Sequence, residues 1–184
     1  MAPAGRVELS ILPRSAWGAG PPDPALLVAH SGPINRLTVH HAGSHAAADA
    51  GAQIRKWQRL HMDERGWGDI AYHYVIGVDG TVYQARDPAF AGDTATSYDP
   101  DRHFLVVVEG NFDKDRPTAA QLDRLPVVLA WASIRHGVAP RRIGGHRDWA
   151  ATTCPGADLY SYVAGGLIPD VQAIIDAGGV TLVP

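Results

Sequence analysis

Cysteine is nearly absent from this 184-residue chain, where Cys154 stands alone. A single thiol cannot close an internal disulfide, so no disulfide framework holds the fold. Runs of Lys or Arg are missing too, and the formal net charge is -3. That argues against nucleic acid or an anionic membrane surface as the main partner. No stretch approaches the roughly 20 consecutive apolar residues of a membrane-spanning helix. Internal repeats and low-complexity segments are also lacking. The opening MAPAGRVELSILPRSAW has neither the basic start nor the apolar run of a signal peptide. Three expectations stay open: a cytosolic protein, a mature form that has lost its leader, or release by host lysis.

What is present is a globular composition. Apolar residues make up 46% of the chain, and a domain of this length buries ~70% of its unfolded surface. Residues 1–35 are rich in Pro and Gly and read as an irregular segment packed on the surface of a single domain spanning 36–184. Arg36–His40 reads as the first strand. A helix is expected over Ala47–Arg65, with Ile54, Trp57, His61 and Glu64 on one face at three- and four-residue spacing. Gly66–Asp69 breaks it, Ile70–Gly77 alternates as a strand, and Asp79-Gly80 signals a tight two-residue hairpin turn to a returning strand at Thr81–Ala85. Residues 86–101 lack periodicity and form a long loop, a length that usually marks function or disorder. Phe104–Glu109 is apolar enough for a strand buried on both faces. Thr118 and Gln121 form a capping box opening a helix to about His136, with Pro126 inside it and Gly137 as its cap. A short strand at Ile143 and a last helix over Pro169–Ala177 complete the order. The pattern predicts a three-layer α/β domain with a mixed central β-sheet flanked by helices.

Gly144–Gly156, reading GGHRDWAATTCPG, is the most informative stretch. A free cysteine is commonly buried filler; nucleophile and metal ligand are the other choices. Small and polar neighbours and the turn at Pro155-Gly156 favour a functional thiol, with His146 eight residues upstream. His40 ends the first strand, where α/β domains place ligands and active sites. A strand histidine is also often structural. Together, His40, His146 and Cys154 offer two imidazole nitrogens and a thiolate, a set that suits zinc and leaves a fourth position for water. His41 either lines a groove beside the metal or caps the strand end. Trp67 either offers a flat face to substrate or fills the core. Arg147 and Asp148 either hold the ligand loop or pair at the surface. Tyr72 and Tyr74 are expected on one strand face with His73 on the other. His30, His45, His61, His103 and His136 read as surface or helix-end residues.

Five ordered blocks carry a resemblance: PRSAWGA (13–19), LTVHHAG (37–43), GWGDIAYHYVIGVDGTVYQAR (66–86), EGNF (109–112) and GHRDWAATTCPGADLY (145–160). The chain resembles the peptidoglycan recognition proteins, also called type 2 N-acetylmuramoyl-L-alanine amidases, which include phage lysozyme amidases. The resemblance implies a mixed sheet with a groove on one face and zinc at His40, His146 and Cys154. It gives catalytic roles to Tyr72 and to Thr152, where some phage members carry lysine. The implied activity is hydrolysis of the amide between muramic acid and L-alanine in peptidoglycan or muropeptides, by a monomer working outside the cell or at the wall. A non-catalytic recognition module is the rival; such relatives typically replace the cysteine that this chain keeps. Asp87-Pro88 stands where family members carry Gly-Trp or Val-Glu, so no preference for diaminopimelate or lysine stems carries over.

Overall fold

The computed structural model describes residues 5–184. Residues 1–4 of the expected irregular segment lie outside it. The remainder of that segment is not wholly irregular. Strand β1 (Val7–Ser10) pairs in parallel with β7 (Val180–Val183), from the far end of the chain, and a 3-10 turn at Arg14–Trp17 follows. The sequence could not show β1, because its pairing partner lies more than 170 residues away.

A five-stranded mixed sheet has the spatial order β4-β3-β5-β2-β6, where β2 is Arg36–His41, β3 Tyr74–Ile76, β4 Val82–Gln84, β5 His103–Val108 and β6 Ile143–Gly145. Only the β3–β4 pair is antiparallel. Strand β5 lies parallel between β2 and β3, and all six of its residues are buried, as expected for a strand covered on both sides. Alternation sorts its side chains. Phe104, Val106 and Val108 join the larger core with Leu37 and Val39 of β2, while Val107 joins Val75 of β3 in a smaller core.

Helix α2 (Ala119–His136) closes the larger core with Leu125, Val128 and Leu129, helped by α3 (Ala157–Gly165) through Leu159 and Val163 and by α4 (Leu167–Asp176) through Leu167 and Val171. Helix α1 (Ala50–Arg59) closes the smaller core with Ile54 and Trp57, and Trp17 joins it from the N-terminal segment. These are the three expected layers. The capping box at Thr118 and Gln121 and the left-handed cap at Gly137 both form. The helix runs on through Pro126, whose missing N–H leaves the Leu122 carbonyl without its usual partner.

Four expectations need correction. The helix expected over Ala47–Arg65 begins at Ala50, capped by Asp49, and changes at Leu60–Glu64 into a π-helical turn. Its expected buried stripe ends at His61, since Glu64 is exposed. The strand expected at Ile70–Gly77 is confined to Tyr74–Ile76. The hairpin has three linking residues rather than two: Gly77 N–H reaches the Thr81 carbonyl (2.9 Å), Gly80 N–H the Gly77 carbonyl (3.0 Å), and Gly80 takes the positive φ of 81°. Helix α3 had no counterpart in the sequence reading, because it buries only two of its nine residues. Among the described residues no helix is long and apolar enough to cross a membrane.

Candidate metal centre

The site grows from the C-terminal ends of two adjacent parallel strands. β2 ends in His40-His41, and β6 runs through Gly145 directly into His146. The chain then loops back so that Cys154 meets β2: the His41 N–H points at Cys154 Sγ (3.4 Å), and the sulfur lies 3.7 Å from His40 Nδ1. The 146–154 loop is closed by Arg147 N–H to the Cys154 carbonyl (2.9 Å) and by the Arg147 guanidinium on the Thr153 carbonyl. Asp148 accepts from Gly145 N–H (2.8 Å) and from the Tyr160 hydroxyl (2.5 Å). Arg147 and Asp148 therefore hold the loop, each through its own contacts rather than through one another.

One donor atom from each of His40, His146 and Cys154 lies within 4.8 Å of the others, and all three residues are buried. Tetrahedral zinc with bonds of about 2.0–2.3 Å would set neighbouring donors roughly 3.3–3.6 Å apart. The donor set and its spacing thus fit zinc after a small contraction. Burial holds His40 well below the usual imidazole range, and burial with His41 nearby holds His146 at about 4. Both rings are neutral at pH 7, the form that binds metal. Burial pushes the Cys154 thiol up to about 12, so metal binding must expel its proton.

Around these donors opens a cleft of about 240 Å³, lined by Tyr72, Trp67, His41 and Thr152 among others. It is smaller than the pockets of about 300–1,000 Å³ that engulf a drug-sized ligand. The Tyr72 ring sits 5.2 Å from that of His40, and burial holds its phenol well above the ordinary value. Thr152 Oγ1 accepts the Cys154 N–H (3.2 Å), leaving its own proton free to donate. His41 Nδ1 accepts from Phe112 N–H (3.2 Å), which anchors that ring in the cleft wall. Trp67 is half-buried, its ring 4.9 Å from His61.

Strand alternation does not extend back to Tyr72. His73 and Tyr74, though consecutive, both stack on Phe104 at 5.5 and 5.3 Å, whereas Tyr72 packs against the smaller core. Tyr72 and Tyr74 thus lie on opposite sides. His73 does point away from the metal centre, with Nδ1 accepting from Leu105 N–H (2.8 Å) and Nε2 against the Phe90 carbonyl (2.9 Å).

Two histidines expected at the surface or at a helix end are buried, although His61 does lie in the π-helical turn at the end of α1. His103 is buried with Nδ1 against Thr38 Oγ1 (2.8 Å). His61 is buried, accepts from Ala71 N–H (3.1 Å) and lines the cleft. The His30 side chain is also largely covered, at 7% exposure. Arg65, Thr94 and Thr96 border the cleft as well, and no motif in the sequence marks them. The aperiodic length of residues 86–101 was the one signal that could have pointed to Thr94 and Thr96.

The family model described as N-acetylmuramoyl-L-alanine amidase (Amidase_2) matches residues 30–157. A human N-acetylmuramoyl-L-alanine amidase is 35% identical over 160 residues, covering 82% of this chain and 27% of that protein. The chain thus spans only about a quarter of the length of this relative. Peptidoglycan-recognition protein SD of Drosophila simulans is 32% identical over 160 residues, covering 85% of each. Among solved structures, a mutant of Drosophila PGRP-LB in complex with tracheal cytotoxin superposes with a TM-score of 0.75 at 28% identity, over 85% of this chain and 94% of that one.

Proposed function

The chain belongs to the N-acetylmuramoyl-L-alanine amidase family, and from that premise we propose that it is a zinc-dependent amidase cutting peptidoglycan between the lactyl group of muramic acid and L-alanine. The observation that carries the reading is the convergence of His40, His146 and Cys154 to within 4.8 Å beside the Tyr72 phenol. Three protein donors leave one position open, the arrangement of a catalytic rather than a structural zinc. Bound there, zinc would supply a water acidified to a pKa of about 7 and would polarise the scissile carbonyl.

The chain's own residues do the rest. His40 and His146 enter as neutral donors, and Cys154 gives up its proton to become the third. Tyr72 stays protonated at any working pH, so it acts as a hydrogen-bond donor to the oxyanion that develops when the carbonyl is attacked. The Thr152 hydroxyl, fixed by the Cys154 N–H, is the second donor. His41 and Trp67 form the wall against which the sugar and peptide lie. Residues 36–184 carry this machinery, and residues 5–35 pack against it. In this reading the protein works outside the cell or at the cell wall, as a monomer.

Digestion of purified peptidoglycan followed by amino-terminal analysis tests this directly. New L-alanine amino termini, with no new reducing sugar ends, are expected. Retention on peptidoglycan with no new amino groups would leave a recognition module and remove the roles given to Tyr72 and Thr152.

A further inference from the structure

The loop joining β4 to β5 reaches into the metal centre with two hydroxyl groups. Thr96 Oγ1 lies 2.8 Å from His146 Nε2, and the Tyr98 hydroxyl lies 3.4 Å from His40 Nε2. These are the two rings that contribute nitrogen to the candidate site. In His40 the opposite nitrogen, Nδ1, is the one that faces Cys154 Sγ at 3.7 Å.

We propose that Thr96 and Tyr98 are positioning residues for the metal ligands, their hydroxyl oxygens accepting the Nε2–H of His146 and His40 and so leaving the Nδ1 of each ring bare to bind metal. The inference rests on the zinc reading given above. A neutral imidazole has one N–H to place, and the partner of one nitrogen decides which of the two is left to bind metal. Thr96 is arranged to accept. Its Oγ1 lies 2.7 Å from Thr94 Oγ1, which also takes the Thr96 N–H at 3.1 Å. Donating its own proton to Thr94 leaves the Thr96 lone pairs for His146.

The loop is anchored from outside the metal site, so the hydroxyls are in place before any ion arrives. Arg86, 1% exposed, donates to the carbonyls of Ile70 (2.8 Å) and Asp69 (3.0 Å) and pairs with the Asp93 carboxylate just before the hydroxyl-bearing segment. The Tyr98 ring lies 5.3 Å from that of His103 and 5.0 Å from that of His146. That packing survives loss of the hydroxyl, so Tyr98→Phe isolates the hydrogen bond.

The test is zinc affinity of the full chain, stripped of metal and titrated with zinc against a competing chromophoric chelator. Thr96→Val should weaken zinc binding by about 10–100-fold, while Thr96→Ser, which restores the oxygen, should stay within about threefold of the parent protein. Tyr98→Phe should weaken binding less, because its contact is longer. Melting temperatures of the metal-free variants should match the parent. Parent-like affinity in both Thr96→Val and Tyr98→Phe would overturn the proposal, as would Thr96→Ser binding as poorly as Thr96→Val. A fall in metal-free melting temperature would assign the hydroxyls to folding instead and overturn it too. If the parent protein itself takes up no zinc, the zinc reading falls and this inference with it. If the parent binds and the variants match it, only the inference falls.

Discussion

At the scale of single residues, burial decides what the titratable groups of the site can do. An ordinary phenol is already protonated near neutral pH, and burial moves Tyr72 still further from ionisation. It can therefore give a hydrogen bond to a developing oxyanion but cannot serve as a base. Tyr72→Phe should lower kcat by about 10²–10³-fold with little change in KM, as for loss of one oxyanion donor. Saturation curves for amino-group release measure both constants; a raised KM with unchanged kcat would make Tyr72 a binding residue instead. His40, His146 and Cys154 were legible in the sequence because the one cysteine shares a turn-rich loop with His146 and because His40 ends a strand. His61 was not, since its place in the apolar stripe of a helix disguised a cleft residue. Thr96 and Tyr98 carry no spacing signal at all: only the folded path of their loop brings them to the imidazoles.

Among the elements, legibility followed the locality of the determinants. Helix α2 could be read almost to the residue, because its capping box and left-handed Gly137 are encoded within the segment itself. Its Leu129 is fully buried in the larger core, and Leu129→Ala should cost about 2–5 kcal/mol in urea unfolding. A loss below 1 kcal/mol would mean that α2 packs more loosely than its burial implies. Strand β1 and the break at Tyr72–Tyr74 depend on partners distant in sequence, and alternation alone could not find them. The ligand loop ends in a comparable constraint. Gly156 has φ of 87°, and a Cβ there would stand 2.4 Å from the Phe112 carbonyl carbon. Both the left-handed backbone and the close approach demand glycine. Gly156→Ala should therefore lower the melting temperature and weaken zinc binding together, because Cys154 lies two residues away. Separate measurement of the two in the same variant checks the linkage, and unchanged zinc affinity would mean that the thiol is held independently of the turn.

For the whole molecule, the mixed sheet does two jobs. Its layered cores supply the stability, and the ends of β2 and β6 fix the two histidines of the candidate metal site. The same burial that keeps the histidines neutral makes the fold sensitive to acid. Burial depresses His73 to about 3 and His61 and His103 to about 4, with Arg86 adding to the effect on His73 and His61 and Arg36 to that on His103. Unfolded, each titrates near 6.5. Between those values the unfolded chain binds protons that the folded chain refuses, so this contribution to stability is complete above pH ~6.5 and declines as pH falls toward 4. Urea midpoints should drop steadily from pH 7 to 4.5; a flat profile would contradict the neutral buried histidines. The three-layer architecture was visible in the order of apolar segments, whereas the parallel pairing of the two chain ends was not.

The most direct test of the central claim is metal dependence of peptidoglycan cleavage. The chelator-treated protein, the same sample with zinc restored, and Cys154→Ser would each be assayed for release of L-alanine amino termini. The account predicts loss on chelation, recovery with zinc, and no activity in Cys154→Ser even with zinc present. Full cleavage by the stripped protein, or by Cys154→Ser, would contradict it.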